Sequence, residues 1–94
     1  MKNENNERLN NFFDALLSLK TREECEMFFD DICTIKELID ISQRYEVAVM
    51  LSQWNVYTEI ASKTGASTAT ISRVNRCFNY GSGGYKIAIE RNKK

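Results

Sequence analysis

Residues 57–80, YTEIASKTGASTATISRVNRCFNY, constrain the fold more than any other stretch of the chain. They have the pattern of a short helix, a tight turn and a second helix. Two such helices need a small residue where they come closest, which Ala61 supplies, and a turn residue that tolerates positive φ, which Gly65 supplies. Ile71 can then seat the second helix, with Val74 beneath it. Because these requirements are met together, the stretch predicts a helix-turn-helix.

The outward face of the second predicted helix carries hydroxyls, one alanine and two arginines, and no acid. Its members are Ser67, Thr68, Ala69, Ser72, Arg73 and Arg76. Short side chains at a helix N-terminus allow close approach to base edges, and the free N–H groups there favour a phosphate. Alanine and threonine can contact a thymine methyl, and arginine can bond guanine or phosphate. We therefore predict a helix that enters the DNA major groove, with Thr58 and Lys63 on backbone phosphates. The alternative is two packed helices with an ordinary polar surface.

The charges are divided between the two parts of the chain, although the formal net charge is zero. Residues 1–57 hold 6 Lys/Arg and 11 Asp/Glu, a net −5, whereas residues 58–94 hold 7 and 2, a net +5. The basic part contains the predicted helix-turn-helix, which indicates a basic binding face on an acidic body. The alternative is that the charges only keep each part of the chain in solution. That alternative does not explain why the basic part is also the part that contains the predicted helix-turn-helix.

Residue usage argues against catalysis and against a metal site. The chain has no histidine, so Ser-His-Asp and Cys-His chemistry and histidine ligands are excluded, and we predict no enzyme. Cys25, Cys33 and Cys77 lack CxxC spacing and lie in apolar helical patterns, which predicts buried structural thiols. No apolar run approaches the ~20 residues of a membrane span, and the N-terminus lacks a signal-peptide layout, so we expect a cytoplasmic protein with no membrane partner.

The remaining segments also read as helices, which predicts one all-α domain of about six helices over residues 1–94. From Glu4 to Lys20, apolar residues recur at helical spacing and indicate a core or dimer seam. A capping box at residues 21–24 opens a second helix. The third and longest helix, to about Gln53, is apolar nearly all round and should be buried on most sides. After the glycine-rich joint at 81–84, a last helix sets Tyr85, Ala88 and Ile89 against the body.

A chain of 94 residues buries only a modest core, so sharing a core with a second copy is a natural remedy. We therefore expect a homodimer. The acids of residues 23–31 read as a solvated face. If the DNA interpretation fails, the runner-up is a helical protein–protein adaptor that works through this acidic part of the chain.

The residues from CTIKELIDISQR through RYEVAVML to GASTATISRVNRCFNYG resemble the Trp repressor superfamily, and within it the YerC/YecD group of TrpR-related proteins. The resemblance covers about two-thirds of the chain or more. It implies an all-α TrpR-like fold, an intertwined homodimer and binding to a double-stranded DNA operator as a transcriptional repressor. In the cell, such a repressor would be cytoplasmic and associated with the bacterial nucleoid when bound.

The resemblance also implies candidate corepressor residues. The family motif that serves both ligand and DNA corresponds to residues 70–74, so Thr70 and Arg73 would line a ligand pocket and Thr70 would also face DNA. Arg44 is the nearest candidate for a second pocket arginine. Val74 stands where the family has a glycine and would crowd a flat indole. Tryptophan is therefore not the expected corepressor, and a different small corepressor or none is equally open. Some relatives of this branch suggest an amino acid other than tryptophan, histidine for instance.

Overall fold

The computed structural model describes residues 6–93, and within that range the chain forms six helices and no strand. The helices are α1 (Glu7–Ser18), α2 (Arg22–Ile32), α3 (Ile35–Ser52), α4 (Tyr57–Thr64), α5 (Thr68–Tyr80) and α6 (Gly84–Arg91). The all-α prediction with about six helices is confirmed. The predicted helix start at Glu4 lies outside the described residues. None of the described helices combines the length and the apolar character that crossing a bilayer requires.

The chain divides into two compact units, residues 1–35 and residues 36–94. In the first unit, α1 and α2 are joined by aromatic packing: the Phe12 and Phe28 rings stack with centroids 6.0 Å apart. Yet neither helix contains a buried residue, and Leu17 is 84% exposed. Their apolar stripes are thus only partly covered within this chain. A single domain over residues 1–94 stays a prediction.

The predicted capping box at the start of α2 forms, with one difference. The Thr21 hydroxyl accepts a hydrogen bond from the backbone N–H of Glu24 at 3.1 Å. The Glu24 carboxylate accepts from the backbone N–H of Lys20 at 2.8 Å, one residue before the cap. The Thr21 bond satisfies a donor that the first turn leaves without a helical partner, so the signal read from the sequence marks the helix start correctly.

The second unit holds the buried core. Its fully or nearly fully buried side chains are Val47, Ala48, Ile60, Ala66, Ile71 and Val74. The α3 residues among them come from its second half, which is where side chains of α4, α5 and α6 pack. The first half of α3 is different: Ile35 is 81% exposed, and Ile39 is also exposed. The prediction that α3 is buried on most sides is therefore wrong for its first half in this chain.

The cysteines also differ from the prediction of buried thiols. Cys25 and Cys77 are exposed, and Cys33 is half-buried. Cys25 lies on α2, which has no buried side chain, and Cys77 lies beside the α5 stripe of Ile71, Val74 and Phe78 rather than in it. Among residues 6–93, no group of cysteine and acidic side chains is arranged to hold a metal ion.

Candidate nucleic-acid interface

The turn between α4 and α5 has the geometry that the sequence pattern predicted. Gly65 ends α4 with φ +76°, in the left-handed region, and its N–H donates to the Ala61 carbonyl at 2.9 Å. The Thr64 hydroxyl donates to the Ile60 carbonyl at 2.7 Å and accepts from the backbone N–H of Ala66 at 3.1 Å. The turn is therefore held by hydrogen bonds on both sides of its glycine.

α5 begins with a capped turn and packs through one stripe. Ser67 is the N-cap: its hydroxyl accepts from the Thr70 backbone N–H at 3.1 Å and lies 3.1 Å from the Thr70 hydroxyl, to which it donates. Ile71 and Val74 are buried on the inner side of the helix. With Ile60 of α4, they form the contact that sets the direction of α5.

Eight of the nine candidate DNA-binding residues are exposed, and Thr70 is half-buried. The exposed ones are Thr58, Lys63, Ser67, Thr68, Ala69, Ser72, Arg73 and Arg76. On α5, residues 69, 72, 73 and 76 follow the i, i+3, i+4, i+7 spacing of one helical stripe. Within residues 6–93, the ion pairs involve neither arginine of this stripe nor Lys63. None of these three cations therefore has a carboxylate partner among the described residues.

The four candidate corepressor residues lie in different environments. Arg44 on α3 and Arg73 on α5 are exposed, Thr70 is half-buried, and Val74 is only 3% exposed. Val74 is thus part of the core. Two surface grooves of the second unit, of about 520 and 480 Å³, are lined by other residues of α3, α4 and α6 and include none of the four.

Tyr85 of α6 is a feature of this region that the sequence pattern placed against the body without showing its neighbours. It is half-buried and packs, with Ile89, against the core of the second unit. Burial raises the pKa of its phenol above the ordinary value, the Cys77 thiol adds to the rise, and Arg44 and Arg73 oppose it. Burial thus outweighs the two arginines, and the pKa of the phenol is raised.

Comparison with known proteins agrees with this geometry. The model of the family described as Trp repressor protein matches residues 7–93. The uncharacterised protein YerC of Bacillus subtilis (strain 168) is 55% identical over 86 residues, which are 92% of this chain and 83% of the relative.

Two crystal structures superpose on the chain with a TM-score of 0.86 each. The first, a candidate Trp repressor from Staphylococcus aureus, is 48% identical, and the match covers 89% of this chain and 84% of the other. The second, a TrpR-like protein from Eubacterium eligens ATCC 27750, is 55% identical, with 89% and 87% covered. The resemblance read from the sequence is confirmed.

Proposed function

We propose that this chain, which belongs to the Trp repressor family, is a homodimeric, sequence-specific repressor that reads a DNA operator through α5. Membership places it among DNA-binding transcription regulators, a regulatory and not an enzymatic family. Dimerisation, operator reading and repression are the parts that we propose. As a chromosomal repressor of a bacterium, it acts in the cytoplasm on nucleoid DNA.

The acid-free outer stripe of α5 is the observation that carries the DNA-binding role. Its arginines are exposed and free of ion pairs with the described residues, while Ile71 and Val74 fix the opposite side of the helix in the core. The stripe is therefore presented by a rigid element, as base reading requires. Arg73 and Arg76 can bond guanine with two hydrogen bonds or hold a phosphate, and Ser67, Thr68 and Ala69 allow close approach at the helix start.

Apolar side chains that are left exposed in each of the two units support the dimer. Leu17, Met27, Ile32, Ile35 and Ile39 are all at least half exposed. Large exposed apolar patches are uncommon on monomers and mark association sites. A two-fold dimer that covers these side chains presents two copies of α5, and a spacing of about 34 Å would match one turn of duplex and a pseudo-palindromic operator.

Alanine substitution on the reading stripe tests the proposal. Genomic fragments bound by the wild-type protein supply the operator. Arg73→Ala and Arg76→Ala should each weaken operator binding by about 1–3 kcal/mol where a guanine is read with two bonds. Arg22→Ala is the matched control, because Arg22 is exposed on α2 and pairs with Glu26 at 3.0 Å. Equal affinities for all four proteins at low salt would refute DNA reading by α5 and favour the adaptor.

The dimer has its own test. Leu17→Glu and Ile39→Glu place charges on exposed apolar positions, and each should shift the molar mass measured by light scattering toward 10.9 kDa, the mass of one chain. Lys86→Glu changes an exposed residue of α6 and should not. A wild-type protein that already elutes as a monomer at micromolar concentration contradicts the dimer.

Control by an amino-acid corepressor stays a prediction from the resemblance. A ligand that binds only the native state raises the melting temperature, by RT ln(1 + [L]/Kd) in free energy. Melting curves with each of the twenty amino acids at millimolar concentration test it directly. If no amino acid shifts the curve, the repressor without a corepressor is favoured.

A further inference from the structure

Tyr80, the last residue of α5, has a large side chain that the rest of the chain leaves uncovered. It is 87% exposed, although Ile71 and Val74 hold the same helix in the core. The ring pairs among residues 6–93 are formed by phenylalanines of α1 and α2 and do not include Tyr80. Single exposed aromatic residues are common on protein surfaces, so exposure alone assigns no role. The position of Tyr80 around α5 is what singles it out.

Tyr80 continues the acid-free stripe of α5 beyond Arg76. Successive residues of an α-helix are about 100° apart, so a residue eleven positions after Ala69 returns to within about 20° of it. The core contacts Ile71 and Val74 lie on the opposite side of the helix. The stripe formed by residues 69, 72, 73 and 76 therefore runs on to residue 80, at the end of α5.

Side-chain length increases along this stripe from the start of α5 to its end. Ala69 and Ser72 are short, Arg73 and Arg76 are long, and Tyr80 is long and stiff. From residue 69 to residue 80 the helix rises about 16 Å, which exceeds the roughly 12 Å width of a DNA major groove. A straight helix that reads bases with its N-terminal residues therefore leaves the groove floor before its last turn. Only a long side chain in that turn still reaches the duplex.

The end of α5 is built so that the following chain does not cover the Tyr80 ring. The backbone N–H of Gly81 donates to the Cys77 carbonyl at 2.9 Å, and an added Cβ at Gly81 would collide with that carbonyl oxygen. In the same turn, the Asn79 side-chain amide donates to the Asn75 carbonyl at 3.0 Å. Because only glycine fits directly after Tyr80, the helix closes tightly there and the chain turns away from the ring.

We propose that Tyr80 contacts the DNA backbone: its phenol donates a hydrogen bond to a phosphate at the edge of the major groove, and its ring packs on the adjoining sugar. A phenol is neutral and has one O–H to donate, so the contact carries no base information and releases few counterions. It sets how far α5 advances along the groove, and thereby which base pairs Arg73 and Arg76 meet. The inference rests on the proposed function, which does not itself depend on Tyr80.

Two substitutions separate the hydroxyl from the ring. Tyr80→Phe should weaken operator binding about two- to tenfold per protomer, the effect of one lost hydrogen bond. Tyr80→Ala, which also removes the ring, should weaken it further. Both variants should melt at the temperature of the wild type, because the side chain is exposed in the free protein. Asn79→Ala is the control: Asn79 is exposed in the same turn but lies about 100° around the helix, so its loss should leave operator affinity unchanged.

A modified operator locates the phosphate. The phosphates of each half-site are replaced one at a time by uncharged methylphosphonates, and the affinities of wild type and Tyr80→Phe are compared on each duplex. At one position the wild type should bind more weakly and Tyr80→Phe should no longer differ from it, because the two changes remove the same hydrogen bond. A tyrosine that acted only on the fold of α5 would give the same loss at every position, and that result refutes the contact.

The results that refute this proposal differ from those that refute the proposed function. If Arg73→Ala weakens operator binding while both Tyr80 variants bind as the wild type does, the backbone contact is refuted and DNA reading by α5 stands. A wild type that binds no DNA at low salt refutes both. If Tyr80→Ala lowers the molar mass measured by light scattering, Tyr80 packs between copies of the chain, and the backbone contact is refuted as well.

Discussion

The side-chain amide of Gln43, on α3, donates a hydrogen bond of 3.1 Å to the backbone carbonyl of Thr64, the last residue of α4. Carbonyls at a helix C-terminus lack helical partners, so this amide satisfies one of them from another element. The carbonyl lies immediately before Gly65, where the chain turns toward α5. Gln43 thus ties α3 to the turn of the helix-turn-helix.

Replacing Gln43 by leucine should therefore destabilise the protein without removing a helix. The variant keeps similar volume and loses one hydrogen bond at a half-buried site, for which we expect a loss of about 0.5–1.5 kcal/mol in the free energy of unfolding. Urea denaturation at fixed protein concentration measures it. Gln53→Leu is the control, since Gln53 is exposed in the turn that follows α3. Equal losses in both variants would show that the hydrogen bond to Thr64 contributes nothing.

Gly65 and Gly84 separate the effect of backbone conformation from that of space. An added Cβ at Gly65 would meet only the Gln43 side chain, at 3.9 Å, yet the residue has φ +76°. Gly65→Ala should therefore cost about 1 kcal/mol or more through backbone strain alone. At Gly84 the added Cβ meets nothing within 4 Å and φ is ordinary, so Gly84→Ala should be neutral or stabilise by about 0.4–1 kcal/mol. Thermal unfolding should therefore show a lowered melting temperature for Gly65→Ala and an unchanged or raised one for Gly84→Ala, and a loss at Gly84 as large as that at Gly65 would contradict the assignment of strain to Gly65.

Trp54, unlike Gly65, is a bulky residue at a positive φ. It has φ +65° in the turn between α3 and α4, and its side chain is 92% exposed. A bulky residue at positive φ stores backbone strain, and this one has little packing to offset it. Trp54→Gly should raise the free energy of unfolding by up to about 1 kcal/mol, measured by urea denaturation followed by circular dichroism. A clear loss of stability would mean that the indole makes contacts in the assembled protein that one chain does not contain.

The helix-turn-helix could be predicted from the sequence because its requirements are local. Ala61, Gly65, Ile71 and Val74 are set by spacing and by close approach within a few turns, and the structure has them as expected. The start of α2 was likewise readable from one four-residue pattern.

The sequence could not show, by contrast, which apolar side chains are covered by other parts of the chain. Helical spacing shows that Ile35 and Ile39 share a face with other apolar residues, but it cannot show whether that face has a partner within the chain. Nor could the sequence show what Tyr85 packs against, because that depends on the backbone angles at Gly83 and on the packing of α6 against the core of the second unit. The DNA-contact and corepressor assignments remain predictions for the same reason: they depend on partners outside the chain.

The raised pKa of Tyr85 predicts a change of stability at alkaline pH. Its phenol is held neutral by burial and by the Cys77 thiol, against the pull of Arg44 and Arg73. Since the native pKa lies above the unfolded value of about 10, the native state binds the proton more tightly. The resulting stability is fully present below about pH 10 and is lost as the pH rises through the native pKa. Relative to Tyr85→Phe, the wild type should therefore lose free energy of unfolding from about pH 10 upward.

Denaturation by urea at a series of pH values from 8 to about 11 measures this difference, and the other titrating groups cancel because both proteins contain them. Tyr80→Phe controls for the loss of a phenol at an exposed position. A constant difference between wild type and Tyr85→Phe across the whole range would show that the phenol of Tyr85 has no special environment.

Lys63 provides the last prediction, which concerns the salt dependence of operator binding. It is exposed in the last turn of α4 and forms no ion pair with residues 6–93. If it holds a backbone phosphate, it releases counterions on binding and carries no sequence information. Lys63→Gln should then lower affinity by a similar factor for the operator and for mutated operators, and reduce the slope of log K against log salt by about 1 per protomer.

Lys36→Gln is the matched control for Lys63, because Lys36 is also exposed but pairs with Asp40 on α3 at 3.0 Å. Its substitution should leave the salt slope of operator binding unchanged. If the effect of Lys63→Gln instead depends on the identity of one base pair of the operator, the lysine reads sequence. It then lies nearer the major groove than a phosphate contact from α4 would place it. If both lysine variants change the salt slope equally, the electrostatic attraction to DNA comes from the whole protein surface rather than from the helix-turn-helix.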